Sequence, residues 1–114
     1  MTAFETLDSI LSLKDNWNEN GAKSFNPELI EKCRKMLTTL PEDLQKTCFV
    51  APTACNSIQF EWEISERYYE IEVYEDFIKL FVVFENNDFV NEELQDENQV
   101  NEAVEQLVLL VVKN

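Results

Sequence analysis

Residues 58 to 84, IQFEWEISERYYEIEVYEDFIKLFVVF, alternate apolar and polar side chains. A period of two is the mark of strands with one buried face. Ile58, Phe60, Trp62 and Ile64 share one parity; Tyr69, Ile71 and Val73 continue it, and Ile78, Leu80, Val82 and Phe84 complete it. Keeping that set on one face restricts the pairing, because a slip of one residue turns every apolar side chain outward. A turn centred on Ser65 and Glu66 sets Phe60 against Ile71, Trp62 against Tyr69 and Glu61 against Glu70. A second, centred on Glu75 and Asp76, sets Ile71 against Leu80 and Glu72 against Lys79. Neither turn carries the Asn-Gly pair that marks the tightest hairpins, so parity constrains this meander more firmly than turn chemistry does.

The opposite parity of the same strands is acidic, with Glu61, Glu63, Glu70 and Glu72 on one surface. Two carboxylates about 5 Å apart in water repel by about 0.8 kcal/mol, a cost that a solvated face tolerates. What sets this face apart from mere solvation is its company. Tyr68, Tyr74, Phe77 and Phe81 fall on the same outward parity, and aromatic side chains are enriched where proteins bind partners. The contrary expectation is that a helix or a second copy of the chain covers the face and turns the rings into core or interface.

Helical signals lie on either side. Phe4, Leu7, Ile10 and Leu11 recur at helical spacing, and DNWNENG, Asp15 to Gly21, interrupts them. Gly21 is the only glycine in the chain, which points to a position of positive φ. Asn26 then suits an N-cap, Pro27 a first helical position, and Phe25 and Ile30 a hydrophobic staple. Leu29, Ile30, Cys33, Met36, Leu37 and Leu40 form the buried stripe of that helix, and Pro41 stops it. PEDLQKT reads as a polar connection, Cys48 to Ala51 as a short apolar strand, and PTACNS as a turn. After the polar stretch from Asn86 to Asn98, in which Phe89 and Val90 suggest a last short strand, Asp96 with Gln99 opens a C-terminal helix. Its stripe is Val100, Val104, Leu107, Val108 and Val111, a β-rich set for which a strand is the alternative.

The expected architecture is a single α+β domain over residues 1 to 114: two N-terminal helices, an antiparallel β-meander of three to five strands and a C-terminal helix, in two layers. At 45% hydrophobic and 11% aromatic residues, the chain has the apolar content of a protein that folds around a core.

Charge narrows the partners. The chain carries −14, and residues 51–114 hold 15 acids and 3 bases against 8 and 6 in residues 1–50. Such a field repels phosphate backbones and anionic membranes and attracts basic protein surfaces. High net charge also serves solubility alone. Met1 to Leu13 shows no basic-then-apolar leader, and LVLLVV, Leu107 to Val112, is too short for a membrane span, so the expected location is the cytoplasm.

Composition also narrows the chemistry. The chain has no histidine, which removes Ser-His and Cys-His pairs and imidazole metal ligands. One glycine does not make a phosphate-binding loop. Asn16 to Gly21 imitates the start of a calcium loop, yet the twelfth position is Pro27, where a bidentate Glu belongs. The better reading is an interhelical loop held by its own Asn side chains, with Trp17 plugging the gap between helices. Cys33, Cys48 and Cys55 lack the spacing of a zinc site, and Cys33 falls on an apolar helix face. The paired acids resemble those of glycoside cleavage in number, but an open sheet face offers nothing to separate their pKa values.

The chain resembles a family of small uncharacterised bacterial and phage-associated proteins. The resemblance lies in Leu7 to Leu11, in N-W-N-x-x-G-A from Asn16 to Ala22, in the Pro-led helix, in P-T-A-C-N-S-I-Q-F-E-W-E from Pro52 to Glu63 and in Y-Y-E-I-E-V from Tyr68 to Val73. It covers about residues 7 to 74 and implies a bacterial or mobile-element origin, with no activity or functional residue to transfer.

The expected function is a non-enzymatic acidic binding protein that neutralises a basic, nucleic-acid-binding partner, of antitoxin or phage-encoded inhibitor type, by mimicking nucleic acid charge. Glu61, Glu63, Tyr68, Glu70, Glu72, Tyr74 and Phe81 are the expected contact residues, with no metal, no cofactor, no direct nucleic acid and no membrane. The alternative is a structural domain that forms a homodimer through its aromatic face.

Overall fold

A computed structural model describes residues 2–96, 98–103 and 105. Helix α1 (Ala3–Leu11) opens on a capping box in which the Thr2 hydroxyl accepts from the Glu5 amide while the Glu5 carboxylate accepts from the Thr2 amide, each at 3.1 Å. Ala3, Leu7 and Ile10 are buried, whereas Leu11 is 38% exposed, one position off the stripe. Helix α2 (Pro27–Thr39) has Asn26 as its N-cap, accepting from the Glu28 amide at 2.9 Å. It buries Leu29, Ile30, Cys33, Met36 and Leu37, and Leu40 is buried just beyond it.

The stretch expected to be a polar connection is instead a short helix, α3 (Glu42–Thr47). Six residues with one buried apolar side chain, Leu44, give no visible periodicity; tertiary contact holds the turn. The carbonyl of Leu44 accepts from the indole of Trp62 at 2.7 Å, tying α3 to the sheet.

Five strands follow as an antiparallel meander in chain order: β1 (Phe49–Pro52), β2 (Ile58–Ile64), β3 (Arg67–Val73), β4 (Ile78–Val83) and β5 (Phe89–Leu94). All five cross-strand pairs expected from parity occur: Phe60 with Ile71, Trp62 with Tyr69, Glu61 with Glu70, Ile71 with Leu80 and Glu72 with Lys79. Ile64 pairs with Arg67, leaving Ser65 and Glu66 as a two-residue loop with φ of 52° and 67°. That is the primed geometry matching strand twist, built here from residues that adopt it at a cost. The first and last loops share another design. Asn56 and Asn87 take left-handed φ of 62° and 70°, and each donates its amide to the carbonyl three residues back, Thr53 and Phe84. Asn suits that conformation best among non-glycine residues. The Glu75 and Asp76 turn is tied to α2, because Lys32 Nζ donates to the carbonyls of Tyr74 and Glu75 at 2.8 and 3.2 Å.

β5 is longer than the short strand expected at Phe89 and Val90, running through Asn91, Glu92 and Glu93 to Leu94. At the C-terminal side, residues 98–103 are helical, and Asp96 Oδ1 accepts from the Gln99 amide at 3.0 Å. Val100 is buried and Ala103 packs against the core; Val104, Leu107, Val108 and Val111 lie outside the described residues. The inner parity of the strands, Ile58, Phe60, Ile71, Val73, Ile78, Leu80 and Val82 among them, joins α1, α2 and Leu44 in one hydrophobic cluster. The fold is therefore α+β, with helices layered on one face of the sheet. Among the described residues no helix is long and apolar enough to cross a membrane.

Candidate functional site

Among the described residues the helices cover the inner parity, and the register decides which side chains meet on the outer one. Phe49, Glu61, Glu70, Phe81 and Asn91 stand opposite one another in a single row across all five strands. The next row is Glu63, Tyr68, Val83 and Phe89, and on the other side lie Gln59, Glu72, Lys79 and Glu93. Acid thus occupies the middle strands of the central row and aromatic rings occupy its flanks.

The four expected glutamates are together but not equivalent. None of them makes an ion pair among the described residues. Glu63 is exposed, and Glu61, Glu70 and Glu72 are half-buried. Glu70 accepts from the Tyr68 hydroxyl at 2.9 Å. Glu72 accepts from Ser57 Oγ at 2.5 Å, and Ser57 is itself buried and 2.6 Å from Thr53 Oγ1. Glu72 also faces Lys79. Glu61, Glu63 and Glu70 have no base opposite them in the register. Burial, and then the Glu70 carboxylate, push the Tyr68 phenol above its ordinary 10.0; burial and Glu72 do the same to Tyr74. Both stay protonated donors over the physiological range.

The expected aromatic anchors divide into two groups. Tyr68 and Phe81 meet edge to face with centroids 6.5 Å apart, and Phe81 continues to Phe89 at 6.0 Å. Tyr74 does not join them. Six residues along β3 place it about 20 Å from Tyr68, where it stacks on Phe77 at 4.5 Å with Lys79 Nζ 5.5 Å above its ring. Its π face already has a cation. The residues missed by parity reasoning are Phe49 and Phe89, exposed by 63% and 65%, which add an apolar patch at each edge strand. Their orientation depends on loops of unannounced length, and β1 and β5 are too short or too polar to show a period.

Elsewhere, Asp15, Asn16 and Asn18 are engaged within their own loop. Asn16 Oδ1 accepts from the Gly21 amide at 2.8 Å, Asn18 Oδ1 from Asn20 and Ala22 at 2.9 and 3.1 Å, and Asp15 Oδ1 from Ser24 at 2.9 Å. Gly21 has φ of 85°. Trp17 packs on Phe25 at 6.0 Å and donates its indole N–H to the Lys23 carbonyl, filling the space between helices. Cys33 is buried, Cys48 half-buried and Cys55 exposed, all as free thiols. A scan against protein-family models and searches of curated proteins and of solved structures return no match.

Proposed function

We propose that the chain is a non-enzymatic binding protein whose outer sheet face docks onto a basic, nucleic-acid-binding protein and neutralises it, in the manner of an antitoxin or a phage-encoded inhibitor. The observation that supports this is the central row, in which Glu61 and Glu70 stand side by side, without an ion pair among the described residues, between Phe49 and Phe81. Such a row gains twice from a basic partner, since cationic side chains relieve the repulsion and the rings bury apolar area. A net charge of −14 brings the partner in at long range and imitates the field of nucleic acid. The setting supported by the resemblance is a bacterium or mobile element, and the cytoplasm is supported by the absence of a basic-then-apolar stretch at Met1 to Leu13.

The alternative, self-association through the same face, has Phe49 and Phe89 in its favour. It sets like-charged rows against each other. The exposed edge also resists pairing, because Glu92 of β5 takes the inner parity opposite Leu80 and so presents an inward-pointing charge. Affinity capture from a bacterial host, with identification of the bound species, separates the readings. The docking reading expects a basic nucleic-acid-binding protein that DNA displaces and that the double variant Glu61→Lys, Glu70→Lys no longer retains. Equal retention by the double variant, or a salt-resistant dimer in sedimentation with no such partner, overturns it.

A further inference from the structure

Depressions border the outer face: one of about 430 Å³ is lined by Glu63, Ser65, Glu66, Arg67 and Tyr68, and a smaller one lies where the end of α3 meets β1 and β2. The smaller depression, of about 250 Å³, is lined by Thr47, Phe49, Glu61, Trp62, Glu63 and Tyr68. We infer that it is an arginine-recognition site, taking a guanidinium from the docked partner. This rests on the docking reading and names the side chain that enters.

Register builds the site. Glu61 and Glu63 are two residues apart on β2, so both carboxylates rise from the same face about 7 Å apart. Phe49 pairs with Glu61 from β1, and Tyr68 pairs with Glu63 from β3. The two rings therefore flank the acids diagonally from the strands on either side, their positions about 12 Å apart, so that one guanidinium stacks on one of them. A planar guanidinium suits this frame, because it stacks on a ring face while its N–H fork reaches carboxylates on either side. An ammonium also satisfies the charge and can sit over a ring, as Lys79 does over Tyr74, but it lacks the planar fork that stacks on a ring and reaches two carboxylates at once.

The molecule shows the same chemistry elsewhere. Arg67 lies 5.2 Å from the Phe84 ring centre, and Lys79 lies over Tyr74 and Phe77 at 5.5 and 5.8 Å. Neither Phe49 nor Tyr68 takes part in a cation–ring contact among the described residues, and neither Glu61 nor Glu63 in an ion pair. Charge complementarity and two rings without a cation–ring contact among the described residues coincide in one cleft.

Isotope-labelled full-length protein is titrated by NMR with end-capped oligo-arginine and oligo-lysine peptides of equal length and charge, near physiological salt. The arginine peptide is expected to bind about tenfold more tightly, with shifts centred on Glu61, Glu63 and Tyr68. Phe49→Leu keeps apolar bulk without a π face, and its affinity for oligo-arginine falls to the lysine level; circular dichroism verifies its fold. Equal affinity of both peptides on this face overturns the arginine assignment and leaves docking standing. Binding of neither overturns both.

Discussion

Glu61 of β2 and Glu70 of β3 stand directly opposite each other on the outer face, and neither has an ion pair among the described residues. The sheet thus holds a repulsive pair in its central row. Glu61→Gln removes the repulsion and keeps the shape, and it leaves the Tyr68 hydrogen bond to Glu70 intact. Stability is expected to rise by about 0.5–1 kcal/mol at low ionic strength, a gain that shrinks as salt screens the wild-type pair. Urea unfolding at two salt concentrations measures it. A midpoint that falls, or a gain indifferent to salt, means the carboxylates do not oppose each other in solution.

The Ser65 and Glu66 loop invites an opposite kind of change. Both residues sit at positive φ, 52° and 67°, where a side chain other than Asn or Gly costs on the order of 1 kcal/mol. Ser65→Asn with Glu66→Gly supplies the residues that a two-residue hairpin turn prefers. The double variant is expected to be about 1–2 kcal/mol more stable in chemical denaturation. No gain would show that the loop relaxes to another conformation.

What could be read from the residues, and what could not, follows from where periodicity exists. Strands β2 to β4 each carry several apolar residues at a spacing of two, which fixes the parity that turns Phe60, Ile71 and Leu80 inward, and the turn centres at Ser65 and Glu66 and at Glu75 and Asp76 then set Glu61 against Glu70. α2 was equally legible, with a cap, a first-turn proline and a continuous stripe. α3 was not, because one buried residue, Leu44, has no period to display. β5 was seen only at its first two residues, because the polar Asn91, Glu92 and Glu93 of this exposed edge strand look like loop.

The same logic explains the partial view of the site. Glu61, Glu63, Glu70, Tyr68 and Phe81 fall together by parity within paired strands. Tyr74 shares that parity, yet parity carries no distance along a strand, and Tyr74 lies with Phe77 and Lys79 at the far end. Phe49 and Phe89 required the lengths of the first and last loops, which depend on Asn56 and Asn87 in a left-handed conformation.

Thiol accessibility should separate the three cysteines. Burial raises the Cys33 and Cys48 thiols to about 12, so little thiolate forms at either near neutrality. Cys55 is exposed in the first loop. A colourimetric thiol reagent on the native protein near neutral pH should titrate Cys55 within minutes and the other two only after denaturant is added. Rapid modification of Cys48 without denaturant would show that β1 opens from α3 and exposes it.

Alkaline titration tests the Tyr68 and Glu70 contact from the proton's side. Burial first, and then Glu70, raise the folded-state pKa of Tyr68 above its ordinary 10.0. The folded state therefore holds this proton more tightly than the unfolded chain does. By linkage, the associated stability is fully present below pH 10 and drains away as the pH rises from there towards the folded-state value. Near-ultraviolet phenolate absorbance of the native protein should show late ionisation at Tyr68 and Tyr74, collapsing to the ordinary range in denaturant. Tyr68→Phe should remove one of the two late phenols and flatten the alkaline decline in stability, while the Tyr74 component, held by burial and Glu72, persists. If the variant keeps both late ionisations, Tyr68 is not one of the two shifted phenols of the folded protein and is not held in this half-buried place beside Glu70.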